Sequence, residues 1–369
     1  MPDTSPQVPA GSGPPSGLRP TLEAVAARAG VSRATVSRVV NGSTGVRPSL
    51  ADKVHRAVEE LGYVPNHAAR TLVTRRTGAV AVIIPEPEVR IFSDPFFFRQ
   101  IRGISKELTA NDTQLVLMLV EASGDFDRVS RYLAGGHVDG ALAFSLHTED
   151  PIPAITRRAG IPTVYGGRPV WTAAPDRQAV PYVDADNRDG ARVAVQLLRD
   201  LGRTRIAHIA GPLDQTSGTD RLDGYRDALG TSYDGTLLAQ GAFTPESGAR
   251  AMAELLERRP DLDAVFAAND LMASGALRVL KERGRRVPDD VALVGFDDMD
   301  SVAESTDPPL TTVRQDVEGQ GRLMARLLLR GLETGGSLVA EDGADGPPAT
   351  APDGDSVIMR TALVRRPTA

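Results

Sequence analysis

The sequence predicts an α/β protein in which a small all-α head precedes a larger core of two lobes built on parallel sheets. Residues 21–62 contain three short runs whose apolar side chains recur at helical spacing, which indicates three helices. From residue 78 onward, short apolar runs alternate with amphipathic helical runs, the pattern of parallel strands covered on both faces. Roughly 290 residues of this pattern are too many for one sheet, so we expect two lobes that meet near residues 182–187.

The first two predicted helices of the head form a tight pair. Thr21 and Ser32 each precede an apolar-periodic run and are favoured helix N-caps, and Gly30 between them can adopt the positive φ that a sharp turn needs. This pattern is typical of a helix-turn-helix, whose second helix faces the major groove of DNA. The exposed positions of that helix are predicted to be Arg33, Ala34, Ser37 and Arg38. A surface helical hairpin without DNA contact fits the same spacing.

A third helix is predicted up to Gly62, and a short segment, residues 63–77, follows it. Within that segment Asn66 can cap a helix of about one and a half turns, which is marginally stable in water without a partner. The segment is either a plain linker or a hinge that folds against DNA. In the hinge interpretation, Arg70 contacts phosphate and Leu72 inserts between base pairs in the minor groove.

The charge of the chain is unevenly distributed. The 369 residues carry a net charge of -6, yet residues 19–77 contain ten Lys or Arg and four Asp or Glu, a net of +6. Because Asp3 is the one charged residue before this segment, residues 78–369 carry -11. A basic head on an acidic body is expected of a nucleic-acid-binding module joined to a ligand-binding core, which favours the DNA-binding interpretation of the head.

Composition excludes several other classes of protein. With no cysteine, the chain has no disulfide, no cysteine-based zinc site and no thiol nucleophile. The five histidines show no metal-type spacing and no P-loop is present, so we expect no metal, no cofactor and no enzymatic activity. No apolar run reaches membrane-spanning length and the N-terminus lacks the layout of a signal peptide, which predicts a cytoplasmic, nucleoid-associated protein.

The core is predicted to place its ligand at the ends of strands, because open α/β sheets bind ligands at the carboxyl ends of their strands. Strands are predicted at residues 80–84, 115–120, 140–144, 163–165, 206–209, 264–267 and 291–296, and helices at 97–108, 187–201, 245–258 and 271–283. Towards the C-terminus we expect crossovers between the lobes near residues 310–316, a helix at 316–330, a mobile acidic loop at 335–356 and a final strand at 357–364. Residues 1–20 are predicted to be a disordered tail.

Six motifs in register resemble the LacI/GalR family of bacterial transcription regulators, and the resemblance extends from about residue 21 to residue 366. The motifs are TLEAVAARAGVSRATVSRVVN, ELGYVPNHAARTL, RIAHIAGP, AVFAAND, VALVGFDD and PPLTTVRQD. The resemblance implies a helix-turn-helix head, a hinge helix and a two-lobed core like that of periplasmic sugar-binding proteins. It also implies a homodimeric regulator, usually a repressor, that binds a pseudo-palindromic operator and is controlled by a small molecule between the lobes.

The resemblance assigns roles to individual residues. Arg33, Ala34 and Arg38 match base-reading positions, and Leu72 matches the hinge leucine that intercalates at the operator centre. The remaining DNA-binding candidates are Thr21, Ser32, Thr35, Ser37, Asn41, Tyr63, Asn66 and Arg70. The effector-binding candidates of the core are Asp94, Phe96, Phe97, Arg168, Arg221, Phe243, Asn269 and Asp297, of which Phe243 matches an aromatic residue that stacks on the ligand.

Three departures from the family pattern stand out. Gly167 replaces an Asp that many members carry before the following Arg168, so a carboxylate is missing there. Arg47 and Pro48 open the third helix in place of a Ser or Thr cap. The chain also lacks the leucine-heptad tail that makes some members tetrameric, so we expect a dimer.

The effector is predicted only by class. Neutral polar groups and aromatic rings favour a mono- or oligosaccharide, whereas a nucleoside or purine is the second candidate because the rings serve equally for base stacking. Trp171 is a further ring for either ligand. From a different class, a solute-binding protein shares such a core, and an enzyme would use the pair Asp297 and Asp298 for acid–base chemistry.

Overall fold

The computed structural model describes residues 20–40, 45–64, 76–169, 180–334, 349–350 and 356–369. Contacts divide the chain into two units, residues 1–77 and residues 78–369. Several predictions lie outside the described residues: the tail up to residue 19, the hinge helix, most of the acidic loop, and the residues Asn41, Asn66, Arg70, Leu72 and Trp171.

The described part of the first unit contains three helices, α1 (Leu22–Ala29), α2 (Arg33–Val40) and α3 (Pro48–Leu61). Thr21 caps α1, since its Oγ1 accepts from the N–H of Ala24 at 3.3 Å, and Ser32 Oγ accepts from the N–H of Thr35 at 3.2 Å. Gly30 ends α1 with φ 66°, which gives the sharp turn. The three helices enclose a small core of Val25, Ala26, Val36, Val39, Val54, Ala57 and Tyr63.

Helix α3 begins without a side-chain cap. Arg47 precedes it and makes no capping hydrogen bond, while Pro48 occupies the first turn. Proline suits that position because its missing N–H has no partner within the helix. The departure noted in the sequence is therefore accommodated by the fixed φ of proline, and the helix ends at Gly62, whose φ is 61°.

The second unit consists of two α/β lobes. The strands are β1 (Ala79–Ile84), β2 (Gln114–Leu119), β3 (Gly140–Phe144), β4 (Thr163–Gly166), β5 (Tyr182–Ala185), β6 (Ile206–Ala210), β7 (Leu238–Gln240), β8 (Ala264–Ala267), β9 (Ala292–Asp297), β10 (Thr311–Arg314), β11 (Ala349–Thr350), β12 (Val357–Met359) and β13 (Ala362–Val364). The helices are α4 (Glu88–Ser93), α5 (Pro95–Ala110), α6 (Ser123–Ala134), α7 (Ile152–Arg158), α8 (Asn187–Asp200), α9 (Thr216–Leu229), α10 (Pro245–Arg258), α11 (Asp270–Glu282), α12 (Asp300–Ala303) and α13 (Val317–Thr334).

Each lobe is organised around one sheet. Among the described strands, the order is β11-β12-β5-β4-β3-β1-β2 in the first lobe and β13-β10-β9-β8-β6-β7 in the second. The central strands pair in parallel, as in the register of Val80 with Leu115 and of His208 with Phe266. The predicted α/β class with parallel sheets is confirmed. The sheets are not purely parallel, however, because β11 and β13 pair antiparallel with their neighbours.

The prediction of one final strand at residues 357–364 is wrong. The segment is divided at Arg360 and Thr361 into β12, which pairs in parallel with β5 of the first lobe, and β13, which pairs with β10 of the second. The chain therefore passes between the lobes here, as it also does after β5 and after β10. A continuous apolar run does not show that its two halves belong to different sheets.

The apolar strands lie between helices packed on both faces. Val80, Val82 and Ile84 of β1 face a cluster that includes α5 and α13, while Ala81 and Ile83 face the cluster of α6 and α7. In the second lobe, α8 and α9 cover one face and α10 and α11 the other. Within the described part of the chain, no helix is long and apolar enough to cross a membrane.

Candidate functional site

A cleft lies between the two lobes, at the carboxyl ends of strands from both sheets. It encloses about 830 Å³ of space between atoms, part of which is open to solvent. Its walls include the predicted residues Asp94, Phe96, Arg168, Arg221, Phe243, Asn269 and Asp297, together with Arg90, Ser145, His147, Asp184, Asn187, Gln215, Gln315 and Gln320.

The wall of the first lobe is formed by the start of α5. Asp94 caps this helix, because its Oδ1 accepts from the N–H of Phe96 at 2.9 Å, and burial raises the pKa of the Asp94 carboxyl. Phe96 lines the cleft, but Phe97 does not. Phe97 is 1% exposed and stacks on Phe144 with ring centroids 6.2 Å apart. Successive side chains of a helix point in different directions, so Phe97 supports the wall from the core side.

The wall of the second lobe is centred on Arg221. Its Nε donates to Asn187 Oδ1 at 2.9 Å and its Nη1 to the carbonyl of Ala268 at 2.5 Å, while its Nη2 lies 3.4 Å from Asp297 Oδ1. The guanidinium also lies 3.8 Å from the centroid of the Phe296 ring. These contacts fix a buried cation in one orientation, with its charge directed towards the cleft.

Asp297 lies at the end of β9 with φ 103°, a conformation that residues other than glycine seldom adopt. Gln315 Nε2 donates to its Oδ1 at 2.6 Å. Burial raises the pKa of Asp297 to about 7, although Arg221 opposes this shift. The Asp297 carboxylate can accept a hydrogen bond from a ligand hydroxyl, and its raised pKa makes the neutral, donating form more accessible than it is for a surface aspartate.

Phe243 and Asn269 are held together at the carboxyl ends of the strands of the second lobe. Asn269 caps α11, since its Oδ1 accepts from the N–H of Met272 at 2.9 Å, and its Nδ2 donates to the carbonyl of Phe243 at 3.2 Å. The Phe243 ring lies directly on the backbone of Gly211, where an added Cβ would stand 2.3 Å from the ring. A side chain at Gly211 would displace the ring from the cleft.

Asp184 of β5 is a second buried carboxylate in the wall of the cleft. The N–H of Arg168 donates to Asp184 Oδ2 at 2.8 Å, and Asn187 Nδ2 donates to Asp184 Oδ1 at 3.0 Å. Burial raises the pKa of Asp184 to about 6. The Arg168 guanidinium pairs with Asp220 of the second lobe at 2.5 Å. The sequence analysis missed Asp184 because β5 is short and its polar end resembles a loop.

The charges of the cleft are balanced by residues of the chain itself. Arg90 pairs with Glu86 at 2.6 Å, Arg168 with Asp220, and Arg221 with Asp297. Asp94 and Asp184 add further negative charge. Phosphate recognition generally uses cationic side chains or helix N-termini that are available to the ligand. Among the described residues, the wall favours a neutral, hydroxyl-rich ligand over an anionic one.

The head presents most of the predicted DNA-binding residues on its surface. Thr21, Ser32, Arg33, Ala34 and Arg38 are exposed, and Thr35 and Ser37 are half-buried. Tyr63 is 6% exposed and packs in the core of the head, where its ring stabilises the three helices.

Glu23 of α1 is a neighbour of the recognition helix that the sequence analysis did not select. Its Oε1 lies 3.1 Å from Arg33 Nε, and both side chains are more than half exposed. The pair links the first turns of α1 and α2. A carboxylate at this position limits the directions available to the Arg33 guanidinium.

A helix-turn-helix head on a two-lobed core with a polar cleft defines a DNA-binding transcriptional regulator that responds to a small molecule. The comparisons with known proteins specify the group. Residues 21–66 match "Bacterial regulatory proteins, lacI family", and residues 195–360 match "Periplasmic binding protein-like domain". The chain belongs to the LacI family of transcriptional regulators.

Similar proteins are regulators of the same kind. The HTH-type transcriptional regulator CelR of Thermobifida fusca is 54% identical over 314 residues, which are 84% of this chain and 91% of that protein. The ribose operon repressor of Escherichia coli (strain K12) is 34% identical over 315 residues, 84% of this chain and 92% of its own length. These relatives are regulators, which confirms the predicted family and the expectation that the chain is not an enzyme.

Solved structures agree with this assignment. A complex of the transcriptional regulator CelR with cellobiose has a TM-score of 0.71 at 47% identity and covers 95% of this chain and 100% of that one. The lac repressor dimer bound to operator and the anti-inducer ONPF has a TM-score of 0.77 at 26% identity, with coverage of 95% and 99%.

Proposed function

We propose that this regulator binds a neutral oligosaccharide, with cellobiose as the leading candidate, in the cleft between its lobes, and that binding changes its affinity for operator DNA. The observation that carries the proposal is the charge balance of the cleft, in which Arg90, Arg168 and Arg221 are each paired with a carboxylate. A similar regulator, 47% identical, has been solved in complex with cellobiose, which supports the same choice of ligand.

The cleft groups match the hydrogen-bonding capacity of a sugar. Asp94, Asp184 and Asp297 supply acceptor oxygens, and Arg221 and Asn269 supply donors. Each sugar hydroxyl both donates and accepts, so a mixed set of this kind can satisfy it from two sides. Phe96 and Phe243 offer apolar surface for the C–H faces of a pyranose ring.

We further propose that Arg33, Ala34 and Arg38 read bases in the major groove, with Thr21, Ser32, Thr35 and Ser37 on or near the phosphates. The fork of an arginine matches O6 and N7 of guanine. Asn41, Asn66, Arg70 and Leu72 stay predictions for the same interface, whereas the burial of Tyr63 in the core of the head leaves it a structural role.

The active species is proposed to be a homodimer on a pseudo-palindromic operator. The first lobe carries exposed apolar side chains, Val89 and Phe92 on α4, Phe98 on α5 and Leu117 on the edge strand β2. Exposed apolar groups next to an unpaired strand edge favour association with a second copy. Sedimentation velocity of the double variant Phe98→Glu and Leu117→Lys is expected to show a monomer where the unmodified chain is a dimer.

The effector proposal is tested by isothermal titration calorimetry of the full chain with cellobiose, glucose, cellobiose 6-phosphate and adenosine. We expect saturable binding of cellobiose and binding of the phosphorylated sugar weakened at least tenfold, because each described cleft cation already has a carboxylate partner. The Arg221→Met variant serves as the site control and should abolish binding. Binding of adenosine with no response to any saccharide would contradict the proposal.

A further inference from the structure

A group of polar side chains crosses the mouth of the cleft from one lobe to the other. The group, called the latch here, consists of Glu86, Ser145, His147 and Thr148 from the first lobe and Asp214 and Gln215 from the second.

Direct hydrogen bonds join the two sides of the latch. His147 Nδ1 lies 2.7 Å from Asp214 Oδ2, and the N–H and Oγ1 of Thr148 both donate to the carbonyl of Asp214 at 2.9 Å. Gln215 Nε2 donates to Glu86 Oε1 at 2.9 Å and to Ser145 Oγ at 3.3 Å. All these bonds connect the loop after β3 or β1 with the loop after β6, so they break if the lobes separate.

The carboxylate at the centre of the latch is buried. The side chain of Glu86 is 2% exposed, and its Oε1 accepts from Arg90 Nη1 at 2.6 Å and from Ser145 Oγ at 2.6 Å. Ser145 has φ 59°, which is unusual for a residue with a side chain. A strained residue that orients a hydroxyl onto a buried charge indicates a functional arrangement more than simple packing.

We propose that the latch is a positioning device, which stabilises the closed arrangement of the lobes and thereby sets the affinity of the cleft for its effector. A ligand that contacts both walls is bound most tightly when the lobes are closed, so any group that favours closure strengthens binding. This inference rests on the proposed function in assuming that the effector occupies the cleft.

The latch also makes closure dependent on pH. The hydrogen bond to Glu86, and then that to Asp214, raise the pKa of His147 to about 9 against the opposing effect of burial. The other charged groups near the ring are Arg90, behind Glu86, and Asp150 of the same loop, whose Oδ2 accepts from the N–H of His147 at 2.7 Å.

The direction of the pH effect follows from which partner moves. Asp214 leaves the ring when the lobes separate, whereas Glu86 stays with it, so the closed arrangement holds the proton more tightly than the open one. Gln215 also leaves the ring when the lobes separate. Its Nε2 lies 3.0 Å from His147 Nε2, a contact between two donors that opposes the charged ring but is weaker than the charge-assisted hydrogen bond to the single carboxylate of Asp214. Closure is therefore favoured below about pH 9 and loses this contribution as the pH rises through that value.

The closure of the lobes can be measured without an effector. The chain has no cysteine, so spin labels attach cleanly to cysteines introduced at two exposed sites outside the latch, Asp127 on α6 of the first lobe and Glu246 on α10 of the second. Labelled full-length chain is mixed with an excess of unlabelled chain, and pulsed electron paramagnetic resonance gives the distance between the labels. At pH 7 we expect His147→Gln and Asp214→Asn to move the distribution towards longer distances, as pH 10 does for the parent.

The matched control is His137→Gln, because His137 is an exposed histidine of the same lobe whose ring centroid lies 4.8 Å from that of Tyr132, outside the latch. It should leave the distance distribution and its pH dependence unchanged. If the His147→Gln and parent distributions coincide at both pH values, the latch does not hold the lobes closed and the inference is overturned.

A second measurement links the latch to binding. In calorimetry with cellobiose at pH 7, His147→Gln and Asp214→Asn are expected to weaken binding about two- to fivefold, since the pair is partly exposed and screened. Equal affinity of parent and variants would overturn the inference even if the distances change. If the parent binds no cellobiose, the proposed effector is wrong, whereas the distance measurement still decides whether the latch exists.

Discussion

Burial raises the pKa of the carboxyls in the cleft, which distinguishes them from carboxyls on the surface. Asp297 has its pKa raised to about 7 and Asp184 to about 6, and both lie where a ligand is expected. Neither shift is visible in the sequence, in which Asp297 is one of two successive aspartates. Asp298, its neighbour, is bound by Arg314 at 2.6 Å and Arg366 at 2.7 Å and serves to tie the C-terminal segment to the second lobe.

The raised pKa of Asp297 predicts a pH dependence of core stability. The native state keeps a proton on this carboxyl up to about pH 7, whereas the unfolded chain releases it near pH 4. The native state therefore binds more protons across that interval, and stability falls as the pH rises through it. Between pH 5 and pH 7.5, the melting temperature of the core, measured by calorimetry, should therefore decrease less in Asp297→Asn than in the unmodified chain. Asp290→Asn, at a half-buried carboxyl that pairs with Arg286 and has its pKa lowered to about 2, is the control and should leave that decrease unchanged, because this carboxyl is ionised in both states above pH 5.

The two arginines of α2 carry the prediction for DNA recognition. Arg33→Ala or Arg38→Ala should weaken operator binding by about 1–3 kcal/mol while leaving binding to random DNA nearly unchanged. The operator is first obtained by selection from randomised duplexes, and binding is measured by fluorescence anisotropy at fixed salt. Arg28→Ala is the control, because Arg28 lies on α1, outside the recognition helix, and pairs with Glu60 of α3. Equal losses on both kinds of DNA would assign the two arginines to phosphate contacts.

For the helices and strands, the sequence predicts which elements are present better than it predicts which strands pair with each other. Each predicted strand between residues 80 and 296 is present, because a continuous apolar run is long enough to identify a strand buried on both faces. The short strands β5 and β7 and the division between β12 and β13 were not predicted, since pairing partners far along the chain determine them. The helix that was predicted to start at Phe97 begins earlier, at Pro95.

The close packing of α5 against α13 depends on glycine. A Cβ at Gly103 would lie 2.0 Å from the carbonyl oxygen of Glu318, so Gly103→Ala must push the helices apart. We expect a loss of about 1–3 kcal/mol in the free energy of unfolding of the core, measured by urea titration. The control is Gly124→Ala in α6, where an added Cβ meets nothing within 4 Å. This variant should be neutral or slightly more stable, because alanine favours the helix. Similar losses for both variants would contradict the account of the packing.

At the scale of the whole molecule, the family and the general function follow from the order of the motifs. The head, the cleft and the basic-to-acidic asymmetry were all predicted from the sequence, and the relatives confirm a regulator of the LacI family. The latch, the buried carboxylate of Asp184 in the cleft wall, and the pairing of every described cleft arginine were not predicted. They depend on contacts between segments that are distant in the sequence, such as Glu86 with Gln215.

The proposed function requires that effector binding in the cleft and operator binding by the head are coupled. The most direct measurement is a two-ligand titration of the full chain, in which operator affinity is determined with and without saturating cellobiose and cellobiose affinity with and without operator. We expect both affinities to change by the same factor, in the range of about 5- to 150-fold that corresponds to typical coupling free energies. Cellobiose binding that leaves operator affinity unchanged, with operator equally without effect on cellobiose, would contradict this coupling.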